Sequence, residues 1–463
     1  MTRQPPSFDP HLFNPHPLDP AALQRLRQDL DGLDVVEGGA LLDELSRDQH
    51  QFSPPLELAL RDCRAQLVVR AHDREQLRRV AALCHRHRAP LTLRGAGTGN
   101  HGQCVPLQGG VVLDTSPLQR LLDLDPETGA LCAEPGCRLL ELDRQLQPHG
   151  RALRLAPSTW RTATLGGYIA GGSSGVGSLR WGLLRDRGNL LGLEVLTVEA
   201  EPRWLQLDAE AAAALNHAYG CNGILTAITV PTAPWQPWQE LVLELPDRTA
   251  ALGLAADLTA GALELDQLAY LEPSLAALMP SLAGLPPPAG DSLLLHATPA
   301  AVGPITAATR GRGGQLLLQR PCWPPRGLLL RELCWNHTTL QARAADPALT
   351  YLIVLLPDPV EPVLAALAAA EPGLLWHLER VRQGGCPRWV GLPVFPWRGE
   401  TALADLIARC LGLGVLVFNP HAVTVEDSGL GMIDAGQVAA KHAHDPLGLL
   451  NPGKLRGWTG SEG

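Results

Sequence analysis

The sequence predicts an α+β protein made of two large domains, and three observations support this fold class. The chain has 463 residues, enough for about two to four domains of roughly 100 to 200 residues each. The first half contains two glycine clusters, one of which directly follows an apolar strand. The second half alternates apolar strand candidates with alanine- and leucine-rich helical stretches, a pattern typical of layered α+β domains.

Composition and charge exclude several classes of protein. The 38 Lys and Arg residues against 47 Asp and Glu residues give a net charge of −9, which argues against a protein that coats nucleic acid. The ten cysteines form no C-x-x-C pair, so free thiols in a reducing compartment are expected. Met1–Phe13 lacks an apolar signal-peptide core, and the longest uncharged run, residues 211–239, contains three prolines. We therefore expect a cytoplasmic protein without a transmembrane segment.

The first half begins with an N-terminal arm, in which the spacing of leucines predicts a helix over Pro20–Leu33. A strand–helix–strand pattern follows, and its last strand, Leu91–Leu93, leads into the glycine loop Arg94–Gly99. Such a loop after a strand allows a backbone to approach a phosphate closely. The other predicted elements of this half are strands at Leu67–Val69, Gly110–Asp114, Ala130–Ala133, Leu190–Glu199 and Ile224–Val230, and helices at Asp73–His87 and Arg138–His149.

The second glycine cluster has six glycines within residues 166–177, which predicts a segment that is neither helix nor strand. The proline-rich stretch Pro231–Pro237 predicts a domain boundary. Beyond it, the predicted strands are Gln239–Leu245, Asp291–His296, Gln315–Gln319, Leu349–Leu356 and Gly414–Phe418, and the predicted helices are Thr249–Thr259, Leu328–Ala344, Val360–Ala370 and Asp434–His444.

Five separated segments together resemble a known family, the vanillyl-alcohol oxidase or PCMH-type FAD-binding oxidoreductases. The resemblance is greatest to the branch that contains the glycolate oxidase subunit GlcD and the D-lactate dehydrogenases. It covers roughly residues 60–235 and 414–455. The segments are residues 94–100, residues 157–159 leading into 163–167, Arg180-Trp181-Gly182 with Leu193-Glu194-Val195, residues 223–229, and the closing residues 445–455.

The resemblance implies a two-lobed FAD-binding domain and an α+β cap domain with an antiparallel sheet. The implied divisions are an arm at 1–54, the FAD domain at 55–235, the cap at 236–425, and a tail at 426–463 that returns to the FAD domain. Thr98 occupies the position at which some relatives attach FAD to a histidine, so non-covalent FAD is expected. The cofactor-binding residues that the resemblance implies are Arg94, Gly95, Ala96, Gly97, Thr98, Gly99, Asn100, Pro157, Ser158, Thr164, Gly166, Gly167, Gly171, Gly172, Gly223, Ile224, Ile228 and Thr229.

The catalytic candidates are His421 and Glu426, which lie just after an apolar strand. Oxidation of a hydroxyl-bearing carbon needs a base for the O–H proton, so His421 is predicted as the base and Glu426 as the group that orients a partner. The alternative is a histidine at a strand end with solvated acids beside it. Metal-dependent relatives carry a paired-histidine motif and a Glu-His-Gly turn, and this chain has neither. We therefore expect no metal.

The function implied is an FAD-dependent oxidoreductase that oxidises a small hydroxylated substrate, for example a 2-hydroxy acid such as glycolate or lactate. Because the chain has no iron–sulfur cysteine motif, the electrons are expected to pass to oxygen, a quinone or a separate electron-transfer protein. Two alternatives remain: a non-catalytic FAD-binding subunit of a larger dehydrogenase, or an oxidase of another alcohol, sugar or phenol. Lys454, one of only two lysines, is a candidate compact cation near the cofactor.

Overall fold

Three main sheets organise the part of the chain that the computed structural model describes, residues 17–281 and 284–459. A four-stranded sheet has the order β1-β2-β4-β3, and a six-stranded sheet has the order β5-β6-β10-β8-β9 with β7 beside β10. An eight-stranded sheet has the order β14-β11-β13-β12-β17-β18-β16-β20. The predicted coil at Met1–Phe13 lies outside the described residues.

The first lobe contains the four-stranded sheet, in which β2, β4 and β3 are parallel. The segment predicted as an arm contributes a strand to this lobe, because β1 pairs antiparallel with β2. Helix α1 packs against α4 and buries Leu26 and Leu30 completely. The elements of the lobe are α1 (Pro20–Asp29), β1 (Asp34–Val36), α2 (Gly39–Leu45), α3 (Pro54–Leu60), β2 (Leu67–Arg70), α4 (Arg74–His87), β3 (Leu91–Arg94) and β4 (Val111–Asp114).

The second lobe contains the six-stranded antiparallel sheet around the long strand β10. This strand continues through Pro231 and ends at Pro234, so the first four residues of the predicted boundary stretch Pro231–Pro237 belong to the strand. The elements of the lobe are β5 (Leu121–Leu124), β6 (Ala130–Ala133), α5 (Leu139–Leu146), β7 (Arg151–Leu153), α6 (Leu165–Gly171), α7 (Ser178–Trp181), β8 (Gly192–Leu196), β9 (Trp204–Asp208), α8 (Ala209–Ala212) and β10 (Ile224–Pro234).

Helix α6 corrects the prediction that the second glycine cluster is free of regular structure. The Thr164 hydroxyl caps this helix by accepting a hydrogen bond from Gly167 N at 3.3 Å. A Cβ on Gly166 would lie 2.5 Å from Pro135 Cβ. Close packing against the neighbouring loop therefore requires glycine at position 166, and this tertiary contact outweighs the low helix propensity of the residue.

The cap contains the eight-stranded sheet. Helices α9, α11, α13 and α14 cover one face through a continuous apolar core that includes Leu241, Leu243 and Trp376. The elements are β11 (Gln239–Leu245), α9 (Arg248–Ala260), β12 (Leu265–Leu271), α10 (Pro273–Ala276), β13 (Asp291–Ala297), α11 (Pro299–Gly311), β14 (Gln315–Pro321), α12 (Asn336–Ala345), β15 (Leu349–Tyr351), β16 (Ile353–Leu356), α13 (Glu361–Ala370), β17 (His377–Gln383), β18 (Cys386–Gly391), β19 (Val394–Pro396), α14 (Glu400–Gly412) and β20 (Leu416–Phe418).

Two predicted elements of the cap are broken in the structure. The predicted helix Leu328–Ala344 is a 3₁₀ turn at Leu330–Leu333 followed by α12, because Trp335 adopts a left-handed φ of 53° between them. The predicted strand Leu349–Leu356 divides at Leu352 into β15, which pairs with β19, and β16, which pairs with β18 and β20. In the second case, strand partners that are distant in sequence determine the break.

The tail contains α15 (Val425–Ser428) and α16 (Ala435–His444) and then returns to the first lobe. Leu450 forms a parallel bridge with Leu91, and Asn451 N donates to Leu91 O at 2.7 Å. The closing segment thus extends the first-lobe sheet beside β3, directly next to the glycine loop. Among the described residues, no helix is long and apolar enough to cross a membrane. The domain divisions at 54, 235 and 425 stay predictions.

Candidate functional site: a cleft between two glycine segments

A cleft of about 760 Å³, including its open mouth, lies where the glycine loop after β3 meets the first turn of α6. The two glycine segments, about seventy residues apart in sequence, both contribute to its lining. Its lining residues are Leu93, Arg94, Gly95, Ala96, Gly97, Thr98, Gly99, Gln103, Cys104, Thr115, Pro135, Thr164, Gly166, Gly167, Ala170, Gly171, Tyr219, Gly220, Ile224 and Leu225.

Two positions of the first loop require glycine. A Cβ on Gly95 would collide with the Thr164 hydroxyl, so any larger residue would push the two segments apart. Gly97 has a φ of +66°, and a Cβ there would collide with the guanidinium of Arg94. The loop therefore depends on bare backbone, the condition under which amide groups can approach a ligand phosphate.

Arg94 places a positive charge in this cleft. The side chain is buried, and its Nη1 donates to Arg47 O and to Cys104 Sγ. Among residues 17–281 and 284–459, no carboxylate lies within ion-pair distance of this guanidinium. A buried cation without a carboxylate partner is costly unless an anion compensates it. The bare loop and this cation together fit the diphosphate of a dinucleotide cofactor.

Comparison with known proteins identifies this cofactor. Residues 65–206 match the family described as "FAD binding domain", and they include both sides of the cleft except the short stretch from Tyr219 to Leu225. This part of the chain is therefore similar to the FAD-binding domains of that family. FAD is therefore the cofactor that fits this cleft, which we call the FAD cleft. The two glycine segments and Arg94 are the groups that would hold it.

Curated relatives each match about two fifths of the chain. Glycolate oxidase subunit GlcD of Escherichia coli (strain K12) is 32% identical over 195 residues, which cover 41% of this chain and 39% of the relative. D-lactate dehydrogenase of Archaeoglobus fulgidus is 30% identical over 204 residues, which cover 41% of this chain and 44% of the relative. The matched region thus spans about two fifths of the length of these relatives.

Solved structures match nearly the whole chain. Alkyldihydroxyacetonephosphate synthase in two crystal forms superimposes with TM-scores of 0.71 and 0.69, at 14% and 15% sequence identity. Each match covers 95% of this chain and 87% or 85% of the solved chain. Identities this low show the fold alone. They confirm the predicted α+β fold.

The structure brings eleven of the eighteen predicted cofactor residues to the FAD cleft. Those that line it are Arg94, Gly95, Ala96, Gly97, Thr98, Gly99, Thr164, Gly166, Gly167, Gly171 and Ile224. The others, which do not line it, are Asn100, Pro157, Ser158, Gly172, Gly223, Ile228 and Thr229.

Three of the seven predicted residues that do not line the FAD cleft have identifiable contacts elsewhere. The Asn100 amide donates to the Tyr351 hydroxyl at 2.7 Å, so it joins the glycine loop to the cap. Gly172 accommodates the His217 ring, with which a Cβ would collide. Ile228 is fully buried in the apolar core of the second lobe.

The predicted base, His421, has both ring nitrogens engaged. Nε2 lies 2.8 Å from Tyr351 O, so it must carry the proton, and Nδ1 lies 2.7 Å from Ser53 Oγ and accepts from that hydroxyl. Burial lowers the pKa of the imidazole to about 3. The ring is therefore neutral and weakly basic, and it holds the cap strand β15 against the N-terminal segment.

Glu426 does not contact His421. Its carboxylate accepts backbone hydrogen bonds from Arg456 N at 3.0 Å and Gly457 N at 2.7 Å, and its side chain is buried. The partner that it orients is the C-terminal tail. The roles of His421 and Glu426 in catalysis stay predictions, and the contacts favour structural positions for both.

A buried polar cluster that no sequence pattern predicted lies near the FAD cleft and is formed by Asp48, His50, His101, Tyr219 and Tyr351. The Asp48 carboxylate accepts from the backbone and ring of His50, the ring at 2.8 Å, while its Oδ2 has no hydrogen-bond partner. His101 Nδ1 lies 3.3 Å from the Tyr219 hydroxyl, which itself lies 2.7 Å from Ser428 Oγ. These groups come from the arm, the glycine loop, the second lobe and the cap, so no local pattern could have joined them.

Buried neutral histidines predict an acid-sensitive fold. Burial lowers the pKa of His101 to about 4 and that of His421 to about 3, from an ordinary value of 6.5. Because the unfolded chain takes up protons first, stability is retained above pH 6.5 and lost as pH falls from 6.5 towards 4. Each histidine should contribute about 1.4 kcal/mol per pH unit in that window.

Chemical unfolding of FAD-loaded protein at pH 7 and pH 5 checks this expectation. His421→Gln should reduce the pH dependence of the free energy of unfolding by about 1.4 kcal/mol per pH unit, the contribution of one histidine, because glutamine does not titrate. His72→Gln, at a half-exposed side chain, is the matched control and should leave it unchanged. An equal pH dependence in wild type and His421→Gln would contradict the argument.

Proposed function

We propose that this protein is an FAD-dependent oxidoreductase that oxidises a small hydroxylated substrate, with a 2-hydroxy acid such as glycolate or lactate as the leading class. The observation that supports the proposal most directly is the FAD cleft, in which two glycine segments and a buried arginine converge within a matched FAD-binding domain. The relatives named glycolate oxidase subunit and D-lactate dehydrogenase support the substrate class. When bound, FAD would supply the electron acceptor for the oxidation.

Contacts between the first lobe and the cap hold the two together beside the FAD cleft. Asn100 of the glycine loop bonds to Tyr351 of the cap, and Thr350 Oγ1 donates to Phe52 O at 2.9 Å. These contacts hold the cap strand β15 over the first lobe. Such closure restricts water near the reacting carbon and strengthens electrostatic interactions there. We propose His101, on the same loop, as a second candidate base, because its Nε2 has no hydrogen-bond partner among the described residues.

Anaerobic flavin bleaching tests the proposed activity. The FAD-loaded protein is mixed with glycolate, D-lactate and L-lactate, and with matched panels of alcohols and sugars, while the flavin absorbance is recorded. We expect bleaching by at least one 2-hydroxy acid at millimolar concentration. Bleaching by an alcohol or sugar alone would refute the 2-hydroxy acid class and leave FAD-dependent oxidation standing. No bleaching by any compound would refute the activity.

Substitution of His421 separates a base from a structural residue. Because both ring nitrogens are engaged, we expect His421→Gln to slow flavin reduction by less than tenfold and to lower thermal stability instead. A loss of two to four orders of magnitude, about the contribution of a general base, would restore His421 as the base. His101→Gln is measured in parallel, and the larger rate loss is expected there.

A second candidate function is a non-catalytic FAD-binding subunit of a larger dehydrogenase. The engaged nitrogens of His421 and the attachment of Glu426 to the tail favour it, since neither predicted catalytic group is free for substrate. In that case the isolated protein would bind FAD without being bleached by any substrate.

We also propose a cytoplasmic location and transfer of electrons to oxygen, a quinone or a separate protein. The ten cysteines, all free in the structure, support a reducing compartment. Turnover with oxygen, a soluble quinone analogue and an artificial one-electron acceptor would discriminate among the three acceptors.

A further inference from the structure

We propose that Glu240, His296 and Cys322 form a binding site for a divalent transition metal of the zinc class, located in the cap and separate from the FAD cleft. One ligand atom from each of the three side chains lies within 4.8 Å of the other two. Glu240 and His296 are buried, and Cys322 is partly exposed. An ion could therefore enter from solvent past Cys322, while Glu240 and His296 would bind it on the buried side of the site.

The register of the cap sheet creates the cluster. Glu240 on β11 lies directly opposite His296 on β13 and opposite Arg320 on β14. Cys322 follows β14 by one residue, and its backbone N–H donates to Trp238 O at 2.9 Å. Side chains directly opposite each other on neighbouring strands have Cβ atoms about 4.5–5.5 Å apart. The three donors therefore converge because the backbone fixes them.

The ring of His296 supplies the observation that points to a ligand. Its Nε2 is buried, has no hydrogen-bond partner and lies 3.7 Å from Glu240 Oε1. A buried polar atom without a partner costs about 1–3 kcal/mol. A metal ion between this nitrogen, the carboxylate and the thiolate would satisfy it. Ligand atoms around a tetrahedral zinc ion are roughly 3.3–3.8 Å apart, given bonds of about 2.0–2.3 Å, so a contraction of about 1 Å suffices.

The donor set selects the class of metal. Thiolate with imidazole and one carboxylate suits zinc and its neighbours in the first transition row, whereas calcium and magnesium prefer oxygen ligands alone. The Glu240 carboxylate is already oriented by Arg320 Nε and Leu330 N, each at 2.6 Å. Hydrogen bonds of this kind hold a metal-binding side chain in a fixed orientation, and they are common around metal sites in proteins. The positive charge of Arg320 opposes the ion, so we expect weaker binding than in an all-thiolate site.

Zinc binding is tested on the reduced, FAD-loaded full chain with Zn²⁺ alone as the probe. Competition with a chromophoric chelator should show one high-affinity Zn²⁺ per chain. Cys322→Ser and His296→Gln should each weaken binding by at least about tenfold. Cys386→Ser, at an exposed cysteine on β18 outside the cluster, is the matched control and should bind as wild type does. Equal affinity in Cys322→Ser and wild type would overturn the proposal.

A second measurement needs no variant and therefore does not depend on the folding of His296→Gln. Thiol alkylation mapped by mass spectrometry should show that Zn²⁺ slows the modification of Cys322 and leaves that of Cys386 unchanged. Equal protection of both cysteines, or protection of neither, would show that the cluster does not bind the ion. Neither readout involves substrate or flavin reduction, so the result is independent of the proposed oxidation.

Discussion

Gly97→Val is expected to reduce FAD affinity by about 100-fold or more. Gly97 has a φ of +66°, where a branched side chain is strained, and its new Cβ would collide with the Arg94 guanidinium. Left-handed strain of about 1–2 kcal/mol lowers the stability of the loop, whereas displacement of Arg94, which lines the FAD cleft, removes a charge-assisted contact of about 1.5–3 kcal/mol from FAD binding. The upper end of that range, about 3 kcal/mol, corresponds to about two orders of magnitude in affinity.

The FAD dissociation constant, measured by quenching of flavin fluorescence, checks this expectation. Gly150→Val is the matched control, because Gly150 also has a φ of +66° but no atom lies within 4 Å of its would-be Cβ, and it is outside the FAD cleft. It should lower stability by the same backbone strain and leave FAD affinity unchanged. Similar FAD affinities in the two variants would mean that the loop does not hold the cofactor.

Lys454→Met is expected to be the most destabilising substitution in the tail. The Lys454 side chain is fully buried, and its ammonium donates to three backbone carbonyls, Gly102 O, Gln103 O at 2.9 Å and Val105 O at 2.6 Å. Methionine fills similar space but leaves all three acceptors without this donor. At about 1–3 kcal/mol for each buried unsatisfied group, we expect a loss of at least about 3 kcal/mol in the free energy of unfolding.

Thermal and chemical unfolding with and without FAD measure the effect. Because residues 102–105 continue the glycine loop, FAD affinity should also fall. Arg456→Met is the matched control two residues along the tail, where the side chain is 45% exposed and pairs with Asp427, and it should cost under about 1 kcal/mol. A cost for Lys454→Met no larger than that of Arg456→Met would contradict the structural role.

The position of Lys454 in the folded chain differs in part from what its occurrence in the sequence suggested. A lysine in a chain that otherwise uses arginine predicted a need for a compact cation near the cofactor. In the structure the Lys454 ammonium is fully buried, and burial lowers its pKa to about 8. Its partners, however, are backbone carbonyls beside the loop, and Lys454 does not line the FAD cleft. Only the folded chain could reveal which groups the cation meets.

The buried polar cluster was beyond prediction for a related reason. Asp48 and His50 lie in a segment that the sequence marked only as a lead-in arm, and Tyr351 lies in a strand predicted for its apolar character. Each residue is ordinary in its local context. Their significance comes from contacts across more than one hundred residues, such as the 2.7 Å bond between Asn100 and Tyr351. Such contacts depend on how the lobes and the cap pack.

The sequence by itself determined the FAD-binding loops, because backbone geometry there depends on glycines at fixed local positions after a strand. It also determined the α+β class, since strand and helix periodicities are local properties. Tertiary structure alone decided that Leu165–Gly171 is helical, that both nitrogens of His421 are engaged, and that Glu240, His296 and Cys322 meet. In each case the structure is determined by contacts with residues that are distant in the chain. The energies of such contacts cannot be read from the local sequence.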